Sequence, residues 1–151
     1  MGNSTRRQKP GSEAERELPA QQVRVPISSD VDIVTARQKG REVAAEAGFQ
    51  FTDLAIIATA ISELARNIVR YAKRGEIIVE PAASGGKRGI RVVARDDGPG
   101  IRDIERAMQA GYSTSGSLGL GLPGVRRLMD AFDIASQVGR GTVVTIEKWR
   151  S

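Results

Sequence analysis

Between Thr52 and Gly75 the apolar residues recur at steps of three and four: Leu54, Ile57, Ile61, Leu64 and Ile68. That spacing predicts a helix over 53–72 with one apolar stripe, opened by Thr52 as N-cap and closed near Lys73, Arg74 and Gly75. Basic side chains in a last turn suit the helix dipole. A stripe of this length must lie on another apolar layer. The chain supplies one in short β-branched runs. Val23, Val25 and Ile27 alternate with other residues, so 23–28 reads as a strand, which Pro26 pushes toward a sheet edge. A second helix fits 30–47, capped by Asp30 and stopped by Gly48. Its apolar side is Ile33, Ala36, Val43 and Ala44, interrupted at Gly40. Strands at 76–80 and 90–95 flank the turn-rich 81–89 and read as a hairpin. A short helix fits 102–110, a Ser/Gly-rich loop 111–121 and a helix 120–131. Strands 132–138 and 142–149 close a last hairpin across Gly139-Arg140-Gly141. The order β-α-α-β-β-α-α-β-β predicts an α+β fold. Its architecture is a two-layer sandwich, with a mixed, mostly antiparallel sheet and helices on one face. There is no internal repeat.

The chain has 151 residues, enough for one domain with a single core. Residues 1–22 are polar and expected to form a disordered tail, and 23–151 the domain. The N-terminus has no apolar segment of the secretory kind, and no window approaches the ~18 apolar residues of a membrane span. The expected location is the cytoplasm, with no membrane insertion. There is no cysteine and no histidine. This excludes disulfides, thiolate nucleophiles, the usual zinc sites, a Ser-His-Asp triad and a phosphohistidine on this chain. Carboxylates, amides, hydroxyls, basic groups, backbone dipoles and a hard ion such as Mg²⁺ remain. The net charge of +5 admits nucleic acid, an anionic surface, a phosphorylated ligand or an acidic protein as partner. Aromatic residues are only 4% of the chain, so stacking platforms for single-stranded nucleic acid are scarce.

Four local patterns carry candidate chemistry. Glu63 and Asn67 stand four apart on the striped helix and so share a face. A carboxylate and an amide there suit a proton acceptor and a Mg²⁺ ligand, but they also suit an ordinary solvated face. Asp96-Asp97-Gly98-Pro99-Gly100 follows a strand. It reads either as a tight turn or as a place where a ring approaches the backbone and an amine meets Asp96. Ser113-Thr114-Ser115-Gly116 leads through Gly119, Gly121 and Gly124 into a helix. It reads as a flexible loop or as backbone N–H groups converging on phosphate. It is neither a Walker A loop nor a Rossmann fingerprint. Gly139-Arg140-Gly141-Thr142 alone is a hairpin turn.

In register, E-L-A-R-N, D-D-G-P-G, G-L-G-L and G-R-G-T resemble the N, G1, G2 and terminal Gly-Thr boxes of the GHKL ATPase superfamily, which has the Bergerat ATP-binding fold. The resemblance covers about 23–149. Thr59-Ala-Ile-Ser-Glu-Leu-Ala-Arg-Asn-Ile68, Gly111-Tyr-Ser-Thr-Ser-Gly116 and Gly121-Leu-Pro-Gly-Val-Arg-Arg-Leu-Met-Asp130 further resemble the RsbT switch kinases of bacterial stress signalling. The resemblance implies an ATP-dependent protein serine/threonine kinase. Its implied partners are STAS-domain proteins, serving as substrate and as stressosome scaffold, and a downstream phosphatase or other effector.

By position, the resemblance implies that Asn67 binds Mg²⁺ on the ATP phosphates and that Glu63 is the general base. It implies that Asp96 reads the adenine amino group, that Gly98 and Gly100 leave room for the base, and that Thr142 supports the adenine site. Gly119, Leu120, Gly121 and Leu122 would contact phosphate through the backbone. The stretch 111–118, with Ser113, Thr114 and Gly116, would be a nucleotide lid. Two other readings stand beside the kinase. One is an anti-sigma-factor-like nucleotide-binding module whose output is sequestration of a partner. The other is a basic nucleic-acid-binding protein, which steep salt dependence would reveal. The basic residues are spread through the domain, including Arg66, Arg70, Arg74, Arg126 and Arg127, which favours ATP and acidic proteins over nucleic acid.

Overall fold

The computed structural model describes residues 22–109 and 121–150. The expected tail, except Gln22, and the expected lid with Ser113, Thr114, Gly116, Gly119 and Leu120 lie outside the described residues. Five strands and four α-helices follow in order: β1 (Val23–Ile27), α1 (Asp30–Glu46), α2 (Phe51–Asn67), β2 (Gly75–Ser84), β3 (Lys87–Asp96), α3 (Ile104–Ala107), α4 (Gly121–Leu128), β4 (Ala131–Gln137) and β5 (Gly141–Trp149). The sheet order is β1-β2-β3-β5-β4, and every ladder among the described residues is antiparallel. The expected α+β class holds, without a parallel pair in the sheet.

Register sets one face of the sheet as the core. Val23, Val79, Val92, Ile146 and Phe132 form one row across the strands, and Val25, Ile77, Ala94, Val144 and Ile134 the next. Onto these rows α1 brings Ile33, Ala36, Val43 and Ala44, and α2 brings Ile57, Ile61, Leu64 and Ala65. Each large aliphatic side chain so buried contributes about 1.5–3 kcal/mol. Gly40, which broke the stripe of α1, is the contact between the two helices. A Cβ there would come within 2.2 Å of Ile61 Cδ1, so the Ile61 side chain fills the space that Gly40 leaves and would have to turn away from a larger residue.

Boundaries differ from expectation for identifiable reasons. The hairpin of β2 and β3 continues to the pair Ser84 and Lys87, because Gly85-Gly86, both at positive φ, make a two-residue turn. Among the described residues β1 pairs β2 only as far as Val79, so Pro81 needs no ladder hydrogen bond on that side. Helix α2 starts at Phe51 after Gln50, not after a Thr52 cap. Helix α3 is a single turn within the expected 102–110, capped by Asp103, whose side chain accepts from Arg106 N–H at 3.1 Å. Ala131 belongs to β4 rather than to the preceding helix. Beyond Asn67 the helix widens into a π turn over Ile68–Ala72, closed by Lys73 N–H donating to the Ile68 carbonyl at 2.8 Å. Lys73 takes φ 76°, a strained value for a residue with a Cβ, and the chain then turns directly into β2.

The start of α1 makes the fold acid-sensitive. Ser29, not Asp30, occupies the cap position, and Asp32 Oδ2 accepts from the N–H groups of Ser28 (2.8 Å) and Ser29 (3.1 Å). These bonds, the one from Ser28 foremost, hold the Asp32 carboxyl below its ordinary 3.8. A carboxyl depressed in the folded state stabilises it above the unfolded pKa, and that contribution is lost as pH falls through the folded pKa. Wild type should therefore melt above Asp32→Ala near pH 6, and the gap should narrow below about pH 4. A gap independent of pH in thermal melts would contradict this account.

Among the described residues, no helix is long and apolar enough to cross a membrane.

Candidate nucleotide site

The row after the two core rows turns polar from β3 onward. It runs Ile27, Gly75, Asp96, Thr142 and Ser136 across β1, β2, β3, β5 and β4. Side chains two apart on a strand share a face, so Asp96, Thr142 and Ser136 lie on the side that carries the helices. Asp96 and Thr142, 46 positions apart in the sequence, are direct neighbours in the β3–β5 ladder. The carboxylate of Asp96 closes a turn, with Oδ1 accepting from Gly98 N–H at 2.8 Å. Its Oδ2 has no partner among the described residues.

The turn after Asp96 is held closely on both sides. A Cβ at Gly98 would lie 2.7 Å from Ala72 Cα and 2.5 Å from Ala72 Cβ, so Gly98 admits the end of the π turn. A Cβ at Gly100 would lie 2.4 Å from the Gln137 carbonyl oxygen. The space these glycines leave is taken by the protein's own backbone, which fixes the loop against α2 and the last hairpin. Pro99 is tied to that hairpin as well, its carbonyl accepting from Gly139 N–H at 2.8 Å.

Helix α2 supplies the other wall. Glu63 is 6% exposed, a deep position for a carboxylate. Both its oxygens are engaged. Oε2 pairs with Arg66 Nη1 at 2.6 Å, and Oε1 accepts from Gly121 N–H, the first residue of α4, at 3.2 Å. An ion pair and a helix N-terminus together offset the cost of burying the charge. Gly121 was expected to serve phosphate, and here its N–H is on Glu63. Leu122 is buried in the core beside it. Asn67, one turn after Glu63, is half-buried, and its amide has no partner among the described residues. An unpaired amide beside a buried carboxylate suits an oxygen-seeking ion and a polar ligand.

Two participants were not anticipated. Arg66 lies in the motif but was read only as part of the basic field. Ser136 was read only as a strand residue. Its hydroxyl stands at 2.7 Å from Ile101 N, 3.1 Å from the Gly141 carbonyl oxygen and 2.7 Å from Thr142 Oγ1. A polar residue inside a strand that ends at a Gly-Arg-Gly turn was the available signal.

Comparison with known proteins agrees with this fold. The family model described as histidine kinase-like ATPase domain matches residues 27–148. The serine/threonine-protein kinase RsbT of Bacillus subtilis (strain 168) is 55% identical over 125 residues, which span 83% of this chain and 94% of that one. An anti-sigma F factor of Thermoanaerobacter sp. (strain X514) is 35% identical over 103 residues, 64% of this chain and 71% of its own. Among solved structures, the RsbU and RsbW domains of Rv1364c from Mycobacterium tuberculosis superpose with a TM-score of 0.58 at 26% identity. That match covers 84% of this chain, which spans 31% of the larger one. The chain thus belongs to the histidine kinase-like ATPase family and is, within it, a protein serine/threonine kinase of the RsbT kind.

Proposed function

We propose that the kinase transfers the γ-phosphoryl group of ATP to a serine or threonine of a STAS-domain partner, as a partner-switching regulator of the bacterial stressosome in the cytoplasm. The observation that carries this reading is that buried Glu63 stands one helical turn before Asn67, whose amide has no partner among the described residues. Asp96 Oδ2 would accept from the adenine amino group, with Thr142 beside it. Asn67 would give its amide oxygen to Mg²⁺, which would supply positive charge to the phosphate oxygens. The first turn of α4, with Gly121 and Leu122, would face the phosphates, and the loop with Ser113, Thr114, Gly116, Gly119 and Leu120 would cover them.

In the transfer, the partner's hydroxyl oxygen bonds to the γ-phosphorus and the bond to the bridging oxygen breaks, releasing ADP. Glu63 accepts the hydroxyl proton, and Arg66 holds its carboxylate in place. Such reactions depend on positioning and charge more than on covalent chemistry. The basic rim of Arg66, Arg70 and Arg74 fits an acidic partner surface.

Likeness to anti-sigma F factors favours one alternative, in which nucleotide-dependent sequestration of a partner is the main output. Labelled ATP, Mg²⁺ and a co-encoded STAS protein separate the two readings. Label on a serine or threonine of the partner supports the kinase reading. Tight binding without transfer supports sequestration and overturns the proposed substrate.

A further inference from the structure

We infer that Ser136 is a positioning residue that sets the purine specificity of the site by fixing the Thr142 hydroxyl as a hydrogen-bond acceptor. The inference rests on the reading of Asp96 and Thr142 as the adenine site. It follows from counting protons on one oxygen.

A serine hydroxyl has one proton and two lone pairs. Ile101 N–H can only donate, so it takes one lone pair of Ser136 Oγ, at 2.7 Å. The Gly141 carbonyl can only accept, so it takes the Ser136 proton, at 3.1 Å. With the Ser136 proton placed on Gly141, Thr142 Oγ1 is the donor in the 2.7 Å contact and fills the remaining lone pair. Ser136 is saturated, and the single proton of Thr142 is spent. Toward the nucleotide site Thr142 presents lone pairs alone.

Asp96 stands beside it in the ladder with Oδ1 engaged by Gly98 N–H and Oδ2 open. The two residues therefore form a wall of acceptors, with no donor to offer. A base carrying an exocyclic amine, with two N–H groups, matches that wall directly or through a water that accepts nothing from it. Guanine turns a carbonyl oxygen to the same place and meets like partial charge on both residues. A buried acceptor facing an acceptor discriminates strongly, because neither group finds a proton.

Ser136 also ties two segments to its own strand with one atom: the loop after Gly100 and the start of β5 at Gly141 and Thr142. A purely structural role would lower the melting temperature and weaken every nucleotide alike. The specificity role predicts a change in a ratio. In Ser136→Ala, the Thr142 hydroxyl loses its acceptor and is free to turn its proton to the site, where it can meet a guanine carbonyl.

The test measures ATP affinity by calorimetry and GTP affinity by its competition with ATP, each with Mg²⁺, on the full chain. Ser136→Ala should lower the ATP-over-GTP ratio about tenfold, and Ser136→Thr, which keeps a hydroxyl, should restore it. If Ser136→Ala does not fold, Ser136→Cys, whose thiol is only a weak acceptor for the Thr142 proton, should lower the ratio in the same direction. An unchanged ratio in the folded variant overturns the inference, even if ATP affinity falls. Asp96→Asn distinguishes the two levels. If it retains ATP affinity, the adenine reading itself fails. If it loses ATP while Ser136→Ala keeps the ratio, only the role of Ser136 fails.

Discussion

Asp96→Asn should abolish ATP binding while leaving the fold intact. Asparagine keeps a side-chain oxygen that can accept from Gly98 N–H, so the turn at Gly98 survives. What changes is the outward atom. A carboxylate oxygen with no partner among the described residues becomes an amide NH2, and two donors then face each other across the site if the ligand presents an amine. Losing a hydrogen bond to a charged acceptor and placing a donor against a donor should weaken ATP at least about 100-fold. Calorimetric titration of the variant with ATP and Mg²⁺, beside its thermal melt, measures both halves of the expectation. Wild-type affinity would remove Asp96 from the adenine site.

Glu63→Gln should have the opposite profile. Glutamine is isosteric and retains an oxygen for Gly121 N–H, so the wall built by α2 and α4 keeps its shape. It cannot take the proton of an acceptor hydroxyl. ATP affinity should stay within about threefold of wild type, while transfer to the partner at saturating ATP slows by ~10²–10⁴-fold. Arg66 loses its ionic partner in this variant, but it is more than a third exposed and remains hydrated. Transfer at the wild-type rate would place the base elsewhere. Together the two variants separate holding the nucleotide from using it.

The parts of the fold legible in the sequence are those whose signal is local. The stripe from Leu54 to Ile68 located α2 because helical periodicity is a property of one segment. Asp96-Asp97-Gly98-Pro99-Gly100 and Gly139-Arg140-Gly141-Thr142 stood out because glycine and proline punctuate turns. The end of α2 was less legible. Ile68–Ala72 continues the apolar spacing, and nothing in that spacing distinguishes an α turn from the π turn that carries Ala72 onto Gly98. The hairpin of β2 and β3 was cut short because Pro81 and the small residues after it resemble a loop, and the edge position that tolerates them depends on how far β1 reaches. Ser136 was illegible for the strongest reason. Its role depends on register, and a serine in a strand means nothing until Thr142, Ile101 and Gly141 are brought to it from other segments. The resemblance to a family named candidate residues for the site; it did not say that Arg66 and Gly121 occupy the two oxygens of Glu63.

The strand order has a consequence for the life of the nascent chain. Residues 141–149 form the last strand in sequence, yet β5 sits inside the sheet, between β3 and β4. A chain still emerging from the ribosome can pair β1, β2 and β3 early, but β4 has no place until β5 arrives to bridge it. Asp96 likewise waits for Thr142. The Asp96–Thr142 pair therefore forms only once β5 has joined the sheet. A product cut short before Gly141 would expose the edge of β3 and lack the proposed adenine wall, offering quality-control proteases an unfinished sheet.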